Sequence, residues 1–211
     1  MKTWAIVVAA GRGERFGGAK QHEVIAGRRC VDWSIEAASA ACDGVVVVVP
    51  PGEADGPSGR LSGERGVAGG ATRSESVRNG LAAVPDDVEV IVVHDAARPA
   101  ASVDLFRAVI DAVADGADAA FPGEPVTDPV TRVDDDVVIE TLDRSTLVSV
   151  QTPQAFRAVA LRAAHAAGDD ATDDCALVER AGGRVVVVPG DPANRKLTDR
   201  SDLAALEAVL S

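Results

Sequence analysis

The chain has 211 residues, 46% of them hydrophobic, with no apolar run long enough to span a bilayer, so it reads as one soluble domain's length rather than a membrane protein. A formal net charge of −12 argues against nonspecific binding to nucleic acid or anionic lipid, since most of the surface repels either polyanion, and any anionic ligand then needs a local cationic pocket. Cys30, Cys42 and Cys175 are odd in number, far apart and without a C-x-x-C pair, which reads as reduced, mostly buried thiols rather than a disulfide framework or a zinc site.

The first apolar run, Trp4–Val8, reads as a buried strand. With neither a charged-then-apolar leader nor an Arg/Ser-rich transit stretch ahead of it, the cytoplasm is the expected location. The strand feeds Ala9-Ala10-Gly11-Arg12-Gly13-Glu14-Arg15-Phe16-Gly17-Gly18-Ala19-Lys20. Glycines permit positive φ and bring bare N–H groups against a ligand, and Arg12, Arg15 and Lys20 add positive charge around the same place, so the loop suits phosphates. A Walker loop fails on spacing, because Gly13 and Gly18 are followed by Ala19 before Lys20 and Gln21. A dinucleotide fingerprint fails too: Phe16 stands at the third glycine, and Val45–Val49 runs into Pro50-Pro51-Gly52 without a closing acid. A tight strand-to-helix turn with solvated arginines is the competing reading of this loop taken alone.

The chain carries 18 arginines but only Lys2, Lys20 and Lys196 as lysines. Arginine offers a planar fork, whereas lysine is a compact charge able to follow a moving phosphoryl oxygen, so Lys20 and Lys196 invite a reason.

Further along, helices near Val31–Ala41, Ser74–Ala83 and Val103–Ala114 alternate with strands at Val45–Val49 and Val88–Val93. That rhythm, with valine runs lacking polar alternation, predicts an α/β fold: a Rossmann-like, mostly parallel sheet flanked by helices. Pro50 to Gly66 reads as a surface loop without function. At the C-terminal end of the strand near Val88–Val93 comes Val92-Val93-His94-Asp95-Ala96-Ala97-Arg98-Pro99, on the sheet edge where ligands bind. Asp95 is placed to hold a divalent cation beside phosphates and Arg98 to fork a phosphate. The alternative is an Asp95 that caps the turn with Arg98 as its ion-pair partner.

From Pro125 to Val150 the pattern changes. Val130–Val133 and Val137–Thr141 flank Asp134-Asp135-Asp136, which predicts a hairpin arm leaving the body. A two-stranded arm is marginal alone, so a second subunit is its expected support. Helices near Phe156–Ala167 and Asp173–Ala181, a strand at Arg184–Val188 and a helix from Ser201, its N-cap, to Leu210 complete a single domain over 1–211 with its arm at about 125–150. No internal repeat is visible. His22, His94 and His165 are scattered; His165 reads as a helix-surface residue and His94 as orienting the Asp95 turn.

Ordered motifs run nearly end to end: Ala9 to Arg15 with Lys20-Gln21, Gly69 to Leu81 (G-G-x-x-R-x-x-S-V-x-x-G-L), Val93 to Pro99, Pro125 to Asp128, Gln151 to Phe156, Thr172 to Asp174, and Asn194 to Lys196. Together they resemble the 2-C-methyl-D-erythritol 4-phosphate cytidylyltransferases of non-mevalonate isoprenoid biosynthesis. The resemblance implies a nucleotide-diphospho-sugar transferase type of fold and transfer of CMP from CTP to methylerythritol phosphate, releasing pyrophosphate. It implies that Ala9, Ala10, Gly11, Gly13, Gly70, Ala71, Ser76 and Ala96 bind the nucleotide, and that Arg15 and Lys20 grip the triphosphate. It puts Asp95 by Mg²⁺ and the sugar phosphate, Lys196 near the α-phosphate, and Arg98, Arg144, Thr152 and Thr172 around the polyol phosphate. It also implies a homodimer in which the arm carrying Arg144 crosses to the partner subunit.

The chemistry suits these residues. A phosphate monoester has a second pKa of about 6, so the nucleophile is already ionised and needs no general base, in keeping with the absence of a Ser-His-Asp or paired-carboxylate signature. The chain departs from the family pattern at Ala19, where a proline is usual before Lys20, in a first loop about two residues short and closer in spacing to the molybdenum-cofactor nucleotidyltransferases. In the arm, Asp128-Pro129-Val130-Thr131 replaces the usual D-T-x-K, and Val148 stands where an aromatic is common. The changes at Pro129 and Thr131 keep open a cytidylyltransferase for another polyol phosphate such as ribitol 5-phosphate; a third reading, a CTP-binding sensor or scaffold without turnover, is opposed by the presence together of Arg15, Lys20, Asp95 and Lys196.

Overall fold

The computed structural model describes residues 1–54 and 65–211. In chain order its strands are β1 (Thr3–Val8), β2 (Val24–Ile25), β3 (Arg28–Arg29), β4 (Gly44–Val49), β5 (Arg65–Ala68), β6 (Val90–Asp95), β7 (Ala119–Pro125), β8 (Val130–Asp134), β9 (Val137–Leu142), β10 (Val148–Val150), β11 (Gln154–Arg157) and β12 (Val185–Pro189). The helices are α1 (Cys30–Ala41), α2 (Arg73–Ala83), α3 (Val103–Ala114), α4 (Ala158–Ala166), α5 (Asp174–Arg180) and α6 (Asp202–Leu210).

The valine runs are buried on both faces. Ala5 and Val7 of β1, Val45 and Val47 of β4, and Val90 and Val92 of β6 meet Val31, Ile35, Phe106 and Val109 of α1 and α3. Ile6, Val46, Val48, Ile91 and Val93 turn the other way, onto Val77, Leu81, Leu161 and Leu177 of α2, α4 and α5. Period-two alternation between two apolar layers therefore replaces the usual alternation with water. A third cluster, Phe16, Ile25, Cys30, Leu197 and Leu206, docks α6 and the segment before it against the first loop.

The main sheet runs β5-β4-β1-β6-β11-β7, and β10 and β12 also pair with β7. Only β10 and β11 run antiparallel to their neighbours; the other pairings in this sheet are parallel. This is the expected Rossmann-like, mostly parallel sheet flanked by helices. It differs from expectation where pairing overrides local pattern. The helix expected from Phe156 starts at Ala158, because Ala155 and Phe156 are fully buried on opposite faces of β11, between β6 and β7. β7 and β10 had no sequence signal: Pro122, Gly123 and Pro125 disguise the first, and the second has only three residues.

Arg65 and Gly66, expected in a loop, pair with Val46 and Val47 as the start of β5, while residues 55–64 of that expected loop lie outside the described residues. Ser201 holds the N-cap position of α6 but makes no capping hydrogen bond; its hydroxyl bonds Asp199 instead.

The arm is present as β8 paired antiparallel with β9, from Val130↔Leu142 to Asp134↔Val137, in a ladder separate from the main sheet. Asp135 takes φ +50° in its turn, a left-handed conformation that aspartate tolerates. Among the described residues no helix is long and apolar enough to cross a membrane.

Candidate active site

The strand order reverses beside β1, which has β4 on one side and β6 on the other, and this opens a crevice at the C-terminal ends of β1 and β6. Two backbone bonds shape its floor: Ala9 N–H to Val48 O at 2.7 Å and Ala96 N–H to Val8 O at 3.0 Å. Above it lies a cavity of about 520 Å³. The glycine loop forms one wall through a single tight turn. Gly13 has φ +63°, accepts from Gly17 N–H and Gly18 N–H, and a Cβ there would stand 1.8 Å from Gly18 O. No other residue fits that turn.

The opposite wall is the entry to α2. Thr72 caps the helix by accepting from Glu75 N–H at 3.1 Å, and the Glu75 carboxylate reaches back to Ala71 N–H at 2.7 Å. Ser76 Oγ accepts from Gly70 N–H and donates to Thr72 O, so its hydroxyl shapes the Gly69–Thr72 turn. Gly69 lets this turn approach the first loop, since a Cβ on it would meet Ala10 Cβ at 2.3 Å.

The positive charge comes from distant parts of the chain. Lys20 Nζ donates to Leu197 O at 2.7 Å, and Lys196 Nζ donates to Asp95 Oδ2 at 2.7 Å, so the docked C-terminal segment sets both ammonium groups at the cavity. Burial and the neighbouring Lys196 charge push the Lys20 pKa below its ordinary value, against the pull of Asp95. Burial would raise the Asp95 carboxyl, but the Arg73 guanidinium and the Lys196 ammonium outweigh it and hold that carboxyl well below the usual carboxylate range. The site thus keeps the Asp95 carboxylate ionised between two cations, Arg73 and Lys196.

Every residue expected on the nucleotide side lines this one cavity: Ala9, Ala10, Gly11, Gly13, Arg15, Lys20, Gly70, Ala71, Ser76, Ala96 and, with them, Asp95 and Lys196. The four residues expected around the acceptor phosphate do not. Arg98 is not the ion-pair partner of Asp95; its guanidinium bonds Asn194 O at 2.8 Å and Val150 O at 3.3 Å, bracing the ends of β6 and β10 against the Lys196 segment. Thr152 is buried, its Oγ accepting from Asp95 N–H at 3.0 Å and meeting His94 Nδ1 at 3.1 Å. Thr172 lines a neighbouring open groove that shares Thr72 and Arg73 with the cavity. Arg144 is exposed at the base of the arm and bonds Thr127 O.

His94 orients the Asp95 turn, as expected. Arg98 O can only accept, so Nε2 carries the proton and Nδ1 accepts from Thr152. Burial pushes the ring's pKa down to about 4. His165, expected on a helix surface, is instead buried and bonds Asp174 Oδ1 at 3.0 Å through Nε2. Local sequence missed this because the last turn of α4 is covered by α5. The three cysteines are free, Cys30 and Cys175 buried and Cys42 partly so, and burial raises the thiols of Cys30 and Cys42 to about 12.

The main omission of the sequence reading is Arg73. It lines the cavity and bridges Asp95 to Asp174, and its one signal was its fixed place in G-G-x-x-R-x-x-S. Among the described residues no cluster of three or more histidine, cysteine or acidic side chains could hold a metal unaided.

A cationic, glycine-walled cavity at the switch point of a mostly parallel sheet defines a nucleotide-binding α/β protein of the nucleotidyltransferase kind. The family model described as IspD, 2-C-methyl-D-erythritol 4-phosphate cytidylyltransferase, matches residues 3–211, and the chain belongs to that family. It is 45% identical to the 2-C-methyl-D-erythritol 4-phosphate cytidylyltransferase of Frankia casuarinae, covering 98% of this chain and 80% of that one. It is 46% identical, over 97% of its length, to the bifunctional enzyme IspD/IspF of Anaeromyxobacter dehalogenans, of which it spans 56%. Other bifunctional relatives are likewise spanned over little more than half, 56 to 58%. The crystal structure of 2-C-methyl-D-erythritol 4-phosphate cytidylyltransferase from Thermus thermophilus superposes with a TM-score of 0.83 at 33% identity, covering 99% of this chain and 98% of that one.

Proposed function

We propose that the chain transfers CMP from CTP to 2-C-methyl-D-erythritol 4-phosphate, giving CDP-methylerythritol and pyrophosphate. The convergence of Lys20, Lys196, Arg15 and Asp95 on a cavity walled by Gly13 and Gly70 carries this reading. The cytosine and ribose rest against Ala9, Ala10, Gly11, Gly70, Ala71, Ser76 and Ala96, and the triphosphate lies along the first loop, where Arg15 and Lys20 neutralise it. A phosphate oxygen of the acceptor attacks the α-phosphorus while Lys196 and Lys20 meet the charge that spreads over the transferring group and the departing pyrophosphate. Lysine suits this task because its ammonium can shift from Asp95 to a phosphoryl oxygen without breaking a two-pronged geometry.

Asp95 is the residue that would hold Mg²⁺. One carboxylate is enough, because that ion keeps several waters and takes other ligands from phosphate oxygens. When bound, the ion would supply charge neutralisation at the triphosphate. The arm, with Arg144, completes the acceptor side of a partner's cavity in a cytoplasmic homodimer; its exposed apolar residues support this reading.

Pro129 and Thr131 favour one second reading, a cytidylyltransferase for another polyol phosphate such as ribitol 5-phosphate. Pyrophosphate release with Mg²⁺, measured with CTP and other nucleotides against both acceptors, tests the two. Release with CTP and methylerythritol phosphate alone is expected. Release only with another acceptor selects the second reading, and CTP binding without release defeats both.

A further inference from the structure

A row of polar contacts runs from the buried seam between α4 and α5 into the cavity. His165, in the last turn of α4, meets Asp174 at the start of α5; Asp174 Oδ2 accepts from Arg73 Nη1 at 2.7 Å; Arg73, at the start of α2, then reaches Asp95. The side chains of His165 and Asp174 are only 2% and 1% exposed, and neither residue lines the cavity. Two polar groups withdrawn this far from water are costly, and an apolar pair would fill the same space between three helices. Their placement therefore calls for a role in what they hold.

The distances around Arg73 are unequal. Its grip on Asp174 is short, 2.7 Å, whereas Nε and Nη2 both stand 3.4 Å from Asp95 Oδ1, near the outer limit of a hydrogen bond. Left without Asp174, the guanidinium would close on Asp95 as a two-pronged pair, the geometry arginine favours with a carboxylate. Asp95 would then be occupied on both oxygens, by Arg73 and by Lys196, and less available to anything entering the cavity.

We propose that His165 and Asp174 are positioning residues that hold Arg73 back from Asp95, so that Asp95 and the cavity-facing edge of Arg73 stay available to the incoming nucleotide and its metal. The inference rests on the cytidylyltransferase reading for its kinetic arm and on geometry alone for its structural arm. His165 acts through Asp174: its Nε2–H fixes the carboxylate so that the other oxygen faces Arg73.

The test is a double-mutant cycle with Asp174→Asn and Arg73→Lys, read as kcat and as KM for CTP, with His165→Gln and His165→Leu beside it and thermal melts to verify folding. Asp174→Asn should lower kcat about tenfold with KM for CTP changed less than about twofold, and should have little further effect once Arg73 is lysine. His165→Gln, which can still donate to Asp174, should retain most of the rate that His165→Leu loses. Additive losses in the cycle overturn the proposal, as does equal behaviour of the two His165 variants. A crystal structure of Asp174→Asn reads the geometry independently: Arg73 should close on Asp95, and an unmoved guanidinium overturns the proposal. If Asp174→Asn does not fold, the structure of His165→Leu serves the same purpose. An unsubstituted protein that releases no pyrophosphate would defeat the functional reading, leaving the crystal structure to judge this one.

Discussion

Around the cavity, Ala9 and Ala96 directly follow, and Asp95 ends, strands whose side chains are buried, whereas along the arm Val133, Val138 and Ile139 are 56%, 62% and 58% exposed. The first region is finished within one chain. Its glycine turn is closed locally, while its helix entry and its lysines are tied to residues distant in sequence, as Thr72 is to Asp170 and Lys20 is to Leu197. The arm has a ladder and no core of its own, and its apolar residues face outward. The contrast teaches that charge is gathered where packing already holds the backbone still, while the element expected to meet the acceptor is left to find its packing elsewhere.

The sharpest way to break this comparison is at the lysines. Lys20→Ala or Lys196→Ala should lower kcat by roughly two to three orders of magnitude without loss of fold, the effect of removing a charge contact made to the transition state. Near-normal steady-state turnover in both would show that the rigid region is not the seat of the chemistry.

Next in size is a pH effect confined to the rigid region. His94 is held at about 4 in the folded chain by burial, against about 6.5 unfolded. Between those values the unfolded state binds a proton that the folded state refuses, so stability falls as the pH drops through that window, by about 3 kcal/mol in all, and levels off below it. Urea unfolding of the protein and of His94→Gln at pH 7 and pH 4.5 should show the steeper loss only where His94 is present; parallel losses would contradict this.

Subunit mixing tests the arm. If each cavity needs its partner's Arg144, neither Arg144→Ala nor Lys20→Ala subunits are active alone, but an equal mixture should recover about a quarter of the parental rate, since half the dimers are hybrids with one intact site. No recovery in verified hybrids would confine Arg144 to its own chain. The smallest expected change is Ile139→Asn on the exposed ladder, which should alter monomer stability by less than ~0.5 kcal/mol while raising the dimer dissociation constant about tenfold in analytical ultracentrifugation.

Much of the nucleotide side was legible in the amino-acid sequence because it rests on local rules. A valine run followed by glycine and alanine specifies a buried strand ending in a loop of bare amides, and Gly13 occupies a turn that admits nothing larger. Eleven residues expected there by motif line one cavity, and Asp95, expected beside the sugar phosphate, lines it with them. The acceptor side was less legible, since Arg98, Thr152 and Thr172 carry the right chemistry for phosphate but are placed by contacts with Asn194, His94 and the groove beyond Thr72.

What the sequence determined by itself was therefore the alternation of strands and helices, the glycine-rich turn after β1 and the hairpin, each set by patterns within a few neighbouring residues. The tertiary structure alone decided that Gln154–Arg157 is a strand and not the start of a helix, because only β6 and β7 supply the partners that Ala155 and Phe156 are buried between. It alone decided that His165 lies inside, bound to Asp174, and that Lys196 meets Asp95 across 101 positions. Those outcomes depend on which surfaces meet once the chain has closed, and no window of local sequence contains both sides of such a contact.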